Sequence, residues 1–417
     1  MSTDRRPHAL SGVVPLVRMR GRSIDEQERV STPLELLFDL TFVVAVSSIV
    51  GQVAHAIEGD HLAEAVPNYL MVFFAIWWAW LNFTWFASAY DTDDVPYRLL
   101  TMLQMGGVLV LAAGVPGAFG EGDYTLITVG YFIMRIALVV QWLRAAAQDP
   151  SGRATALRYA LGITVVQALW IVRLFVTAGL PFGVQVTVFV VLALLEMAVP
   201  PWAERTGETR WHPHHVAERY ALFVIILLGE SVLAVSVGVQ EVVAAGAGSA
   251  PFVVLAASGL ALLFGLWWVY FLQPAHEGLE RNRRWAYFWG YGHYLVFAAL
   301  AAVGAGLEVS VKAFAELGHE SPSEEGHTLP LELVAFSIAV PVAVYLVMMW
   351  VLYRPLLGPT VIPPALSLGG ASVVLALPLL VGPLPLPAVL LAIALTVAAV
   401  IAVTILLRRP RPAPEGP

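Results

Sequence analysis

The chain has 417 residues, of which 59% are hydrophobic and only 13% charged, with a formal net charge of −7 and a mean hydropathy of +0.76. A soluble globular protein carries about 25% charged residues. This composition therefore excludes a water-coated globule and implies a polytopic membrane protein whose partner is the lipid bilayer. No cysteine is present, which excludes disulfides, thiolate metal sites and a cysteine nucleophile. No basic surface domain exists to bind nucleic acid.

Residues 1–30 are basic and weakly patterned, and read as a loose cytoplasmic tail. "HALSGVVPLV" within them is too short for the apolar core of a signal peptide. A bilayer core about 30 Å thick takes about 20 apolar residues of helix. Twelve runs meet that length: 34–57, 67–89, 97–118, 124–145, 156–178, 181–200, 215–238, 251–272, 285–309, 330–353, 361–381 and 386–407. The last two are rich in proline. Residues 409–417 read as a second, Pro-rich cytoplasmic tail.

Alternating twelve spans from a cytoplasmic N-terminus puts 20 of the 23 Lys and Arg residues in inner regions. Of the rest, Arg135 and Arg173 fall inside spans, and Lys312, the only lysine, falls in an outer loop. Cytoplasmic loops carry such an excess of basic residues, so the segregation predicts both termini inside.

The halves resemble each other. "AIWWAWLNFTWF" (75–86) matches "GLWWVYFLQPAH" (265–276), with Trp77 and Trp267 offset by 190 residues, and Gly114 falls on Gly304 at the same offset. Upstream, "LELLFDLTFVVAVSS" (34–48) faces "AERYALFVIILLGES" (217–231), so that Glu35 and Glu218 each open a half. The fold expected is all-α, with two six-helix units at 31–205 and 206–408. Even-numbered units are parallel, related by an axis along the membrane normal.

"ELLFDLTFVVAVS" in the first span and "HHVAERYALFVIILLGESVLAV" (214–235) in the seventh resemble the low temperature requirement protein A family of bacterial membrane proteins. "WWAWLNFTWFASAYDTDDVPYRLLTMLQM" (77–105) shares that look. Leu37, Thr41 and the pair Tyr220-Ala221 depart from the usual pattern, at positions suited to a lipid or core face. The resemblance implies a polytopic bacterial inner-membrane protein and does not by itself imply a reaction.

A charge within hydrocarbon costs roughly 2.5–3.5 kcal/mol on the mildest scale, and normally faces protein or water with a partner. The ionisable residues inside spans are therefore the candidate substrate or ion site. Glu35 and Asp39 lie one turn apart on one helix face, near a helix N-terminus that favours anions. They read either as a cap paired with an inner-loop arginine or as a cation or proton site. Glu230, between Gly229 and Ser231, falls near the midplane, and a Glu230–Arg135 ion pair is expected. Glu196 falls at the level of Glu35 and Asp39, and Arg173 is expected to snorkel outward. His214 and Glu218 have i, i+4 ligand spacing, but no third ligand is evident, so no metal is assigned.

Asp91, Asp94 and Arg98 stand at the inner end of the first half. The matching place in the second half holds Arg281 and Arg284. Either the two runs clasp the halves together or they are solvated turns. Trp77 and Trp267 read as interfacial belts, helix packing, or a stacking surface for a ligand. No cofactor, phosphate-loop, nucleophile-elbow or dinucleotide motif is present. The expected function is transport of a small solute or ion, with proton coupling through Glu230. The alternatives are an ion channel with one pore helix per half, or a non-transporting scaffold or intramembrane enzyme.

Overall fold

A computed structural model describes residues 16–23, 26, 29–244, 249–317 and 329–407; 85% of the structure is helix, and no strand is present among these residues. The helices are α1 (Pro33–Glu58), α2 (Leu62–Tyr90), α3 (Val95–Gly120), α4 (Thr125–Gln148), α5 (Arg153–Val176), α6 (Phe182–Ala203), α7 (Pro213–Ala244), α8 (Ala250–Phe271), α9 (Ala275–Arg281), α10 (Ala286–Leu317), α11 (Leu331–Leu357), α12 (Pro364–Ala376) and α13 (Leu386–Leu407).

Eleven helical stretches among the described residues are long and apolar enough to cross a membrane. The run expected as a span at 361–381 is the exception. Its helix α12 has 13 residues and passes into a 3₁₀ turn, Leu377–Leu380. Pro378 cannot donate to the preceding turn, which stops the α-helix there. Thirteen residues rise only about 20 Å. A short helix, α9, also stands where a plain loop was expected.

The molecule is apolar on the outside: Leu40, Leu161, Leu194 and Phe264 are each 58–60% exposed. Glu35, Asp39, Arg135, Glu196 and Arg219 are buried. Such an arrangement suits lipid as the solvent, because charges are tolerated only where protein or water surrounds them.

In the first half α1 packs on α3, α3 on α4, α4 on α5 and α5 on α6; in the second α7 packs on α10, α10 on α11 and α11 on α12, while α8 packs on α13. The halves meet where α1 and α2 touch α7 and α10. Glycines permit the closest crossings. A Cβ on Gly130 of α4 would stand 2.4 Å from the Leu111 nitrogen and 2.5 Å from the Gly107 oxygen of α3. Small residues that let backbones touch are the usual device of membrane helix pairs.

The N-terminal stretch expected as a loose tail is, from residue 16, a strap across the helix ends. The Val17 amide donates to Asp94 Oδ2 at 2.8 Å, the Met19 amide to Gln148 Oε1 at 2.7 Å, and the Arg22 amide to the Ala89 carbonyl at 3.0 Å. Residues 1–15 and 408–417 lie outside the described residues.

Candidate functional site

Thr32 opens α1 with a capping box: its hydroxyl accepts from the Glu35 amide and Glu35 Oε2 accepts from the Thr32 amide. This satisfies donors that every helix N-terminus leaves orphaned. The box holds Glu35 in the first turn, and Asp39 follows one turn later on the same face.

Opposite them, α7 presents His215 and Arg219, again one turn apart. Arg219 Nη2 donates to Asp39 Oδ1 at 2.5 Å, and Trp80 Nε1 of α2 donates to the same oxygen at 2.8 Å. Arg219 Nη1 stands 3.2 Å, and His215 Nε2 3.0 Å, from Glu35 Oε1. These two approaches are close enough for charge pairing but do not have hydrogen-bond geometry. The four side chains form a two-by-two ladder between the first and seventh helices, each at most 1% exposed. Asp39 Oδ2, Arg219 Nε, His215 Nδ1 and the nearby Tyr97 hydroxyl have no hydrogen-bond partner among the described residues. Nearly all buried polar atoms in native proteins are paired, so this cluster is unusual.

At the edge of the ladder Arg29 donates to the carbonyls of Ala87, at 2.7 Å, and Ser88, at the C-terminal end of α2. It lies 3.9 Å from Asp91, which Arg22 approaches to 3.3 Å. Burial, reinforced by the Glu35 charge, pushes the Asp91 carboxyl up to about 6 against the opposing pull of Arg29 and Arg22. Glu218 does not join the ladder; it accepts from the Ser31 amide at 3.0 Å. His214 faces His276 and the Arg29 carbonyl instead, so the spacing of His214 and Glu218 does not bring them to one centre.

The expected Glu230–Arg135 pair does not form. Arg135 Nη2 donates to Glu196 Oε1 at 2.5 Å. Glu196 Oε2 accepts from the Tyr131 hydroxyl at 2.7 Å and from Trp170 Nε1 at 3.1 Å. Glu196 on α6 is thus held by side chains of α4 and α5. Glu230 is 6% exposed, and no ion pair joins it to another described residue. Its neighbour Ser231 donates to the Leu227 carbonyl at 3.1 Å and packs where a Cβ on Gly304 would stand 2.7 Å from its hydroxyl.

Arg173 does not snorkel out. It is 5% exposed, with its guanidinium carbon 5.2 Å from the ring centre of Tyr124, 5.8 Å from Trp170 and 5.5 Å from Phe189. It borders a cavity of about 30 Å³ that Thr128 and Tyr131 also line.

Of the two readings of the inner charged runs, the clasp between halves does not form among the described residues. Asp94 caps α3 and pairs with Arg144 at 2.5 Å, Arg98 pairs with Asp93 at 2.8 Å, and Arg281 pairs with Glu277 at 3.1 Å. Arg284 lies over the Trp285 ring at 5.9 Å. Each charge is answered within its own half. Trp77 is fully buried and meets Tyr291 and Tyr294 of α10 across the seam. Trp267 is 44% exposed and stacks on Phe271 of its own helix, so the two tryptophans occupy unlike surroundings. Sequence reasoning missed Tyr131, Trp170, the bond from Trp80 to Asp39 and the joint role of His215 and Arg219.

The family described as bacterial low temperature requirement A protein matches residues 30–405. An uncharacterized protein from Rhizobium meliloti (strain 1021) is 29% identical over 314 residues, which cover 70% of this chain and 72% of that protein. No solved structure matches.

Proposed function

The chain belongs to the bacterial low temperature requirement A family and is a multi-pass membrane protein, and on that premise we propose that it carries a small solute or ion across the bacterial inner membrane, with protons handled at the α1–α7 ladder. The observation that carries this reading is the ladder itself: two carboxylates, an arginine and a histidine, fully buried between two membrane helices. Ionisable groups inside a membrane mark proton relays and substrate paths by default, because they are too costly to keep otherwise. Asp39 offers a proton an oxygen that no donor occupies. Protonation there weakens its pairing with Arg219 and frees α7 to part from α1. Uptake of the proton from one face and its release to the other couple proton movement to this opening.

Two further features support the reading. Seventeen of the 23 basic residues, those of the inner regions up to Arg354, fall on one side of the first ten spans, which favours a cytoplasmic N-terminus and puts the ladder at the inner mouth. The order of packing α1–α3–α4–α5 is repeated by α7–α10–α11–α12, which supports two parallel repeats of the kind found in carriers.

The test is flux in proteoliposomes loaded with the pH-sensitive dye pyranine. An imposed pH gradient is applied against a panel of inorganic salts, amino acids and sugars. Wild-type protein is expected to give saturable, gradient-dependent proton movement with at least one solute. Asp39→Asn and Arg219→Gln are expected to lower it by about tenfold or more while eluting as folded protein. Flux no greater than that of empty vesicles across the panel, or full activity in Asp39→Asn, would refute the proposal.

A further inference from the structure

We propose that Arg173 holds a small monovalent inorganic anion of chloride size in the cavity it borders, a binding role that stands whether or not the chain transports anything. Among the described residues no carboxylate lies within ion-pairing distance of Arg173, although it is 5% exposed. Every other arginine buried as deeply has one close by: Arg29 has Asp91, Arg135 has Glu196, and Arg219 has Glu35 and Asp39. Arg173 has aromatic faces instead, those of Tyr124, Trp170 and Phe189. Rings attract a cation through their quadrupole, but they carry no charge to offset its desolvation. A fixed positive charge without a counter-charge is half of an ion pair, and the missing half is an anion.

The surroundings point to a small one. The cavity of about 30 Å³ exceeds the roughly 10–15 Å³ that one water needs and is far too small for an organic acid. Its other hydrogen-bonding groups are largely taken: the Tyr131 hydroxyl and Trp170 Nε1 already donate to Glu196. The Tyr124 hydroxyl donates to Asn68 Oδ1 at 2.6 Å. Thr128 also lines this mostly apolar space, and Arg173 Nε, which has no hydrogen-bond partner among the described residues, leaves the guanidinium as the group to meet one bound ion. Asn68 lines an open, more polar cavity of about 760 Å³ with Gln52, His55 and His61 at the opposite end of the helices from the Arg-rich loops, and the Asn68–Tyr124 bond links its lining to that of the Arg173 cavity.

The full-length protein in a non-ionic detergent is heated in sodium chloride, bromide or nitrate, and in sodium gluconate at the same ionic strength. The unfolding midpoint is expected to rise saturably with the small anions, by roughly 2–5 °C, and not with gluconate. Arg173→Gln is expected to weaken the apparent chloride affinity roughly tenfold or more. Should that variant fail to fold, crystals of wild-type protein grown in bromide settle the matter: an anomalous peak is expected inside the Tyr124–Trp170–Phe189 cage. Equal midpoints in chloride and gluconate, stabilisation only by added phosphatidylglycerol, an unchanged chloride response in folded Arg173→Gln, or a cage without bromide at saturation would each overturn the proposal.

Discussion

Glu196 receives hydrogen bonds from Arg135 and Tyr131 on α4 and from Trp170 on α5. Each of its oxygens is occupied, so the carboxylate is stabilised although it is only 2% exposed. Arg135 depends on it in turn, because Arg135 is 2% exposed and has no other acid within reach among the described residues. Removing one partner of a buried pair leaves the other charge uncompensated, at a cost of about 3–5 kcal/mol. Glu196→Gln is therefore expected to lose that much stability in an SDS-titration unfolding experiment, while Glu196→Leu combined with Arg135→Met recovers most of it. A double variant no better than the single one would mean that the pair is not what Glu196 stabilises. The sequence placed both residues within apolar helical runs, which form α4 and α6, because that much follows from position along the chain. It paired Arg135 with Glu230 because depth says nothing about which way a side chain points around its helix. The ladder was closer to legible. His215 and Arg219 repeat the i, i+4 spacing of Glu35 and Asp39, and that shared spacing was the available signal.

The helices themselves were readable, since each long apolar run has one economical structure in lipid. The run at 361–381 differed because composition registers hydrophobicity and not the interruption at Pro378. Contacts between helices were not readable, and α3 against α4 shows why. A glycine has no side chain to reveal whether it faces lipid or another backbone. A Cβ on Gly130 would collide with the main chain of α3, whereas one on Gly106 would meet nothing within 4 Å. Main chain cannot swing aside as a flexible side chain can, so Gly130→Val is expected to destabilise by about 2 kcal/mol or more, the scale of overpacking. Gly106→Ala is expected to be neutral or stabilising, because alanine is the better helix former. Unfolding midpoints of the two variants, measured side by side in bicelles, check the contrast. Equal effects would place the α3–α4 crossing elsewhere.

Across the whole molecule the two halves are tied unequally at their two ends. At the Arg-rich end α1 meets α7 through the Asp39–Arg219 bond, which is fully buried. At the other end Glu58 of α1 meets Lys312 of α10 at 3.1 Å, with both side chains at least one-third exposed. Exposed ion pairs contribute about 0–1 kcal/mol because water and salt screen them; buried, hydrogen-bonded charge pairs couple by about 1.5–7 kcal/mol. A molecule clasped this way parts more easily at the Lys312 end, and the transport proposed above requires the ladder's carboxylates to loosen the other. Two double-mutant cycles measure the asymmetry without any knowledge of the substrate. Glu58→Gln with Lys312→Gln is expected to show a coupling below about 1 kcal/mol that fades in 1 M salt, where the screening length is about 3 Å. Asp39→Asn with Arg219→Gln is expected to show a coupling of about 2 kcal/mol or more that salt leaves unchanged. Couplings of equal size and equal salt sensitivity would remove the distinction between the two ends, and with it the reason to treat the ladder as the tighter clasp.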